Sequence, residues 1–411
     1  MKIMLIHPTY YSSPDCNPNS IYRSSPPLGL GYLASILHKA GHEIMIFDVM
    51  GRNKEIPMRI QYFKPEVIGI STMTNSYPQA YELCHGLRKA GYKGYIVIGG
   101  VHPSVAPEQT WEQLKGVANC LVIGEAEGNI VEIVEKKPTG IIHGVPIENL
   151  DDIPFPAWDM FELSRYSSPN LPIMTARGCP FNCIFCSSKF FWKTVKFRSI
   201  ENVRKELEYL KTRTGTVMIY DDTFMLKKER VLEFTQICKE LGLRYRCNGR
   251  VNILANAAWD EVLDEMKGTC IQVDLGVESY SQKVLDKMNK QIKRRDIVPV
   301  FEKLYERGIG ANCYLIVSNV GESDDDRETT LTFANYLKHL LPGVRVDIQL
   351  LRKYPNTPLS QLSPISQEVD WIKSLDTRLR YPNVPIYLEN ESDRDKIVNE
   401  FLQAKQFIVG W

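Results

Sequence analysis

The stretch TARGCPFNCIFCSS, residues 175–188, places Cys179, Cys183 and Cys186 within eight positions, at the end of the apolar run LPIMTA (171–176), which reads as a strand. Thiolates at this spacing can converge on one metal centre. A structural zinc site asks for four protein ligands, usually as two pairs. The next cysteine, Cys238, lies far downstream inside a helical pattern, and no histidine is close by. Zinc is therefore disfavoured. A [4Fe–4S] cluster usually takes four cysteines, so three leave one iron open to an external ligand.

Downstream of the cysteines, apolar runs alternate with helical patterns. TVMIYD (216–221), RYRCN (244–248), CIQVDLG (270–276), ANCYLIV (311–317) and VRVDIQLL (344–351) read as strands. Between them the pattern predicts helices over 200–213, up to 241, from 257, up to Gly308, and over 326–340. Six strand–helix units in succession fit a partial (β/α)6 barrel, with active residues at the C-terminal ends of its strands. Upstream, IMLIH (3–7), EIMIFDV (43–49), VIGIST (67–72), YIVIGG (95–100) and CLVIG (120–124) alternate with helices such as 30–41 and 76–91. Near-continuous apolar strands separated by helices mean a parallel sheet covered on both faces. This half reads as a Rossmann-like, flavodoxin-like α/β domain with a ligand place outside its strand ends.

The expected division is a first domain over 1–145, a proline- and acid-rich linker over 146–168, the barrel over 169–363 and a short C-terminal tail over 364–411 holding Trp371 and Trp411. Fifty lysines and arginines balance forty-nine acids, which removes the basic field a nucleic-acid binder needs. The apolar run before His7 is too short for a signal-peptide core, and no run is long enough to span a bilayer. Ten cysteines in such a chain are free thiols or metal ligands, so a cytoplasmic location is expected. Cys16, Cys84, Cys120, Cys238, Cys247, Cys270 and Cys313 read as small buried hydrophobes.

CxxxCxxC, with the aromatic Phe185 before the last cysteine, is the pattern of the radical S-adenosylmethionine superfamily. More of the chain, about residues 1–360, resembles the cobalamin-binding branch of that superfamily. The segments that carry the resemblance are 25–48, VIGIST (67–72), VIGGVHPSVAPE (97–108), VIGEAEG (122–128) and IPFPAWDMF (153–161). In the barrel they are YDDTF (220–224), CNGRVNIL (247–254), DLGVESYSQKVLDKMNK (274–290), VGESDDD (320–326) and YPNTPL (354–359).

The resemblance implies a [4Fe–4S] cluster on Cys179, Cys183 and Cys186, with S-adenosylmethionine on its open iron and cobalamin on the N-terminal domain. It implies that Glu278 and Arg250 face the ribose or carboxylate of S-adenosylmethionine and that Asp221 and Asp222 lie near its amino group. Cobalamin would meet Ser71, Thr72, Gly99, Gly100, Val101, His102, Gly124 and Glu125, where small residues let a ring approach the backbone. The Asp-x-His-x-x-Gly segment that supplies a lower axial histidine in methionine-synthase-type domains is absent from 7–20. The implied activity is hydrogen abstraction from an unactivated carbon by a 5'-deoxyadenosyl radical, followed by methyl transfer from methylcobalamin. An external reductant such as flavodoxin or ferredoxin and a small-molecule substrate (metabolite, natural-product intermediate or lipid-like) complete the implied set. The same resemblance permits a cyclisation, C–C coupling or oxidation without methyl transfer. From another class, a noncatalytic iron–sulfur carrier or sensor would need none of the cofactor-binding segments.

Overall fold

Continuous apolar runs make the strands of the first unit, because a parallel sheet covered on both faces has no polar side. The structure, a computed structural model, describes residues 1–8, 25–166, 170–362, 372, 386–388 and 390–409. It forms two units: Met1–Pro169 joined by Tyr354–Asn356, and Asn170–Lys353 with Thr357–Leu362 and Ile386–Trp411. Cys16, Trp371 and Trp411, and most of the first loop, lie outside the described residues.

The first unit is a parallel sheet of β1 (Lys2–His7), β2 (Glu43–Asp48), β3 (Val67–Ser71), β4 (Tyr95–Gly99), β5 (Cys120–Ile123) and β6 (Gly140–His143). Their order is β2-β1-β3-β4-β5-β6, the flavodoxin-like order with one strand added. β6 was not expected. It is a four-residue edge strand, half-exposed along its length, and so carries too short an apolar signal. The helix Leu28–Lys39 packs on the segment after β6: Gly31 abuts the Pro156 side chain, and its carbonyl accepts from the Ala157 N–H at 3.0 Å. A Cβ at Gly31 would lie 2.8 Å from Pro156. Trp158 is wholly buried there, and Glu162 pairs with both Arg52 and Arg59, whose guanidinium groups lie over Phe47. The proline-rich stretch is thus docked along much of its length.

The second unit holds six parallel strands, paired in chain order: β7 (Leu171–Ile173), β10 (Thr216–Ile219), β11 (Arg244–Gly249), β12 (Cys270–Glu278), β13 (Gly310–Val317) and β14 (Arg345–Leu350). All six were expected, and sequential parallel pairing with intervening helices is the partial barrel. Between β7 and β10, β8 (Ala176–Arg177) and β9 (Lys196–Phe197) form a small antiparallel ribbon around the cysteines. Outward-facing Tyr245 and Cys247 are buried under the helix Lys228–Leu241, with Phe234 and Tyr245 edge to face at 5.2 Å. The inward positions of β11 to β14 behave differently: Arg246, Asn248, Gln272, Asn312, Tyr314, Asp347 and Gln349 are polar and stay partly accessible.

The tail contains a helix that sequence reading did not assign, Arg394–Ala404. Lys396 reaches Asp324 at 2.6 Å, Glu400 takes Arg327 at 2.8 Å, and Lys405 pairs with Asp347 at 3.2 Å. Those bonds tie the segment to the helix Asp324–Leu340 and to β14, whose outer edge no other strand covers among the described residues.

Trp158→Ala is expected to cost about 3–5 kcal/mol of stability, read as a lowered denaturant midpoint for the transition that exposes the first unit.

Candidate metal centre and corrinoid surface

The cysteine loop begins where β7 stops, and it stops there because Asp221 captures the next amides. Asp221 Oδ1 accepts from the Thr175 N–H at 2.6 Å and the Ala176 N–H at 3.0 Å, and Oδ2 accepts from the Thr175 hydroxyl at 2.6 Å. Burial pushes the Asp221 carboxyl up to about 6, against the pull of these bonds and of Arg230. Arg230 donates to the Thr175 carbonyl at 3.0 Å and Arg198 to the Met174 carbonyl at 2.9 Å. The loop's start is therefore held by three side chains.

Gly178 comes next at φ +89, and a Cβ there would lie 2.6 Å from the Thr194 carbonyl oxygen. Only glycine fits immediately before Cys179. Its N–H donates to Asp222 Oδ2 at 3.1 Å. Desolvation raises the Asp222 carboxyl, opposed by hydrogen bonds from Ser188 and Gly178.

Each sulfur has a polar neighbour. Cys179 Sγ lies 3.5 Å from the Thr223 hydroxyl, Cys186 Sγ accepts from the Ser188 N–H at 3.4 Å, and Cys183 Sγ accepts from Arg250 Nη1 at 3.6 Å. Cys183 is buried, Cys179 half-buried and Cys186 exposed, so the set opens to one side. Although Cys186 is exposed, desolvation by the surrounding loop is the main cause that pushes its thiol up to about 11, with smaller contributions from the charges of Cys183, Asp222 and Cys179 and opposed by the Ser188 N–H. A cationic centre among the three sulfurs would offset this desolvation and the smaller repulsion from the neighbouring thiols. Among the described residues no three His, Cys, Asp or Glu side chains stand close enough to ligate a single metal ion. Three thiols that open to one side are the donor type of a cluster ligated by cysteines, and in that chemistry they fit the implied group.

Above Cys183 the expected residues converge through one that sequence reading missed, Lys290. Arg250 stacks its guanidinium 3.7 Å from the Phe181 ring centroid and donates Nη2 to the Lys290 carbonyl at 2.5 Å. Lys290 Nζ donates to Glu278 Oε1 at 2.7 Å and lies 5.7 Å from the Phe185 ring. Both members of this ion pair are buried. Glu278 sits at φ +70, where the β12–β13 register slips after Gly276. A Cβ on Gly276 would collide with Glu278 Oε1, so the glycine makes room for the carboxylate. The segment before Lys290 also grips the loop: Ile184 N–H donates to the Met288 carbonyl at 3.2 Å and Asn289 Nδ2 to the Asn182 carbonyl at 2.9 Å. The available signal was the lysine at the end of DLGVESYSQKVLDKMNK, a segment that carried the family resemblance without a role for this residue.

In the first unit, Ser71, Gly99, Gly100, Val101, Gly124 and Glu125 lie at the C-terminal ends of β3, β4 and β5 and remain partly accessible. Gly100 lies at φ +103, and a Cβ there would clash with the Thr72 carbonyl oxygen at 2.5 Å, so only glycine fits. Gly124 has nothing within 4 Å of such a Cβ. Ser104 joins these turns, donating to the Gly100 carbonyl at 2.7 Å and accepting from the Gly124 N–H at 2.9 Å. Backbone exposed at glycines on adjacent strand ends suits the close approach of a flat ring. Thr72 and His102 turn the other way. Thr72 is buried against Ser76 at 3.0 Å. His102 is wholly buried, stacked 4.0 Å from Tyr77, with Nδ1 3.2 Å from Thr74.

This geometry sets three measurable expectations. Single Cys→Ala changes at 179, 183 or 186 are expected to remove most bound iron while leaving far-ultraviolet circular dichroism unchanged. Lys290→Met leaves Glu278 buried without its cation and is expected to cost about 3–5 kcal/mol, read by denaturant unfolding. Burial lowers His102 to about 3, whereas an unfolded histidine titrates near about 6.5. The unfolded chain then binds more protons between those values, so this contribution to stability is present above about pH 6.5 and is lost as pH falls toward 3. His102→Gln is expected to flatten that acid limb of the melting-temperature profile.

Residues 173–334 match the family model described as Radical SAM superfamily, and residues 19–134 match the B12 binding domain. The chain is 30% identical over 368 residues to an uncharacterised methyltransferase of Pyrococcus horikoshii, covering 82% of this chain and 78% of that protein. It is 26% identical to the anaerobic magnesium-protoporphyrin IX monomethyl ester cyclase of Rubrivivax gelatinosus, over 81% of this chain and 65% of the cyclase. In fold it is similar to the cobalamin-dependent S-adenosylmethionine radical enzyme OxsB, with a TM-score of 0.77 at 15% identity, covering 99% of this chain and 67% of that one. The matches imply a [4Fe–4S] cluster and S-adenosylmethionine for the second unit and cobalamin for the first. A three-thiol loop on a partial barrel, preceded in the same chain by a B12-type sheet, places this protein in the cobalamin-binding radical S-adenosylmethionine enzyme family.

Proposed function

We propose that the protein is a C-methyltransferase that removes hydrogen from an unactivated carbon of a small molecule and installs a methyl group there. The observation that carries this reading is the pairing in one chain of an open three-thiol site with a glycine-lined corrinoid surface. When bound, the cluster, S-adenosylmethionine and cobalamin supply one-electron cleavage of a sulfonium and a transferable methyl group.

The chain's own residues do the holding. Cys179, Cys183 and Cys186 ligate the cluster, and Asp221 fixes the loop that presents them. Arg250, stacked on Phe181, keeps a positive charge and a donor against Cys183; hydrogen bonds to cluster sulfurs tune its potential. Glu278 offers Oε2 to a ribose hydroxyl or an ammonium while Oε1 keeps Lys290. Asp221 acts by position rather than by touching the ligand, and Asp222 stands between loop and solvent. Ser71, Gly99, Gly100, Val101, Gly124 and Glu125 line the corrinoid surface, with Thr72 and His102 supporting it from beneath. Two molecules of S-adenosylmethionine are consumed per turnover, one for each role. The electron comes from an external one-electron donor of the flavodoxin or ferredoxin class, and the reducing cytoplasm suits the free thiols. No helix among the described residues is long and apolar enough to cross a membrane.

Similarity to a cyclase keeps a second reading, the same radical initiation without methyl transfer. Anaerobic purification from a cobalamin-supplied host, with iron, sulfide and corrinoid measured together, separates the readings. About four irons per chain with stoichiometric corrinoid, and a trideuteromethyl label passing from S-adenosylmethionine to product, is the expected result. Iron without corrinoid selects the second reading, and zinc in place of iron overturns both.

A further inference from the structure

A filled barrel packs its interior with branched apolar side chains in layers. Here the inward face of β11 to β14 is polar and still partly accessible, so its own side chains do not fill it. One end of this face is satisfied internally: Asp347 takes Lys405 at 3.2 Å and Gln349 at 2.9 Å. The other end is not. Arg246 Nε and Asn312 Oδ1 are both buried with no hydrogen-bond partner. Between them lies buried Asp274, which accepts from Gln272 at 2.5 Å. The register sets Arg246 opposite Gln272, and Asp274 opposite Asn312. Desolvation raises the Asp274 carboxyl, opposed by Gln272, the Arg246 charge and Asn312.

Arg246 precedes Arg250 by four residues along an extended strand, and Asp274 precedes Glu278 by four, so this row lies about 13 Å below the rim where S-adenosylmethionine is held. β11 and β13 are two strands apart, which separates the orphan donor from the orphan acceptor by about 10 Å of sheet. A buried guanidinium donor lacks an acceptor and a buried amide oxygen lacks a donor. Burying both against hydrocarbon would leave a guanidinium N–H and an amide oxygen unsatisfied.

We propose that the barrel interior binds the polar end of the substrate, an oxyanion (carboxylate or phosphoryl) on Arg246 and a hydroxyl or amino donor on Asn312 and Asp274, so that the substrate is a hydrophilic small molecule. This deepens the proposed function and rests on it for the word substrate; the binding chemistry stands apart from methyl transfer.

The test uses the anaerobically reconstituted holoenzyme with S-adenosylmethionine present. Calorimetric titration with sn-glycerol 3-phosphate, and in parallel with L-malate, probes the phosphoryl and carboxylate forms of the oxyanion. Saturable binding of either, weakened at least tenfold in Arg246→Gln and at least threefold in Asn312→Leu, with iron content and the affinity for S-adenosylmethionine unchanged, is the expected result. Absence of saturable binding by both probes, or equal binding by the wild type and both variants, overturns it. A tenfold loss of affinity for S-adenosylmethionine in Arg246→Gln also overturns it, because the row would then serve the nucleoside. None of these readouts involves a methyl group, so failure of the methyltransferase reading shows separately in the label assay.

Discussion

The buried carboxylate of Asp221 is the constraint on which the metal site rests. A carboxylate taken out of water is costly unless its oxygens are filled, and here three donors fill them, two backbone amides and a hydroxyl from Thr175 and Ala176. Bonds to a charged acceptor contribute about 1.5–3 kcal/mol each, enough to break β7 after Ile173 and turn the chain into the ribbon β8–β9. The three thiols inherit their direction from that turn. Asp221 stands directly after β10, so the second strand of the barrel aims the loop that leaves the first.

The opposite wall of the site works through a chain of contacts rather than a single anchor. Cys183, Arg250, the Lys290 carbonyl, the Lys290 ammonium and Glu278 are linked in series, with Phe181 and Phe185 of the cysteine loop lying against the two cations. Moving any one of them disturbs the guanidinium beside Cys183 and the carboxylate at the end of β12 together. The wall spans β11, β12 and the turn before residue 291.

Much of this was legible in the sequence because parallel sheets write themselves as uninterrupted apolar runs. Eleven of the twelve strands of the two main sheets were readable in this way, and β6 was lost to its brevity. The cysteine spacing singled out the loop that follows β7, and the strand ends located the carboxylates. What sequence could not show was direction. Asp221 and Asp222 are neighbours, yet one faces inward to backbone amides and the other stands exposed beside Gly178. His102, in the short helix Val101–Val105, is stacked on Tyr77 in the core. Lys290 reads as an ordinary surface lysine until the positive-φ residues Asn289 and Gln291 on either side of it are seen to turn the chain inward. The helix Arg394–Ala404 depends on pairs formed with residues some seventy positions earlier, which local periodicity does not register.

The remaining cysteines bear on the protein's life in air. Cys84, Cys120, Cys238, Cys247, Cys270 and Cys313 are all buried, and burial raises the thiols of Cys84, Cys238, Cys247 and Cys313 far from the reactive thiolate form. Among the described residues only the cysteine loop presents a thiol at or near the surface, at Cys186 and Cys179. Among the described residues an oxidant therefore meets accessible thiols in one loop only.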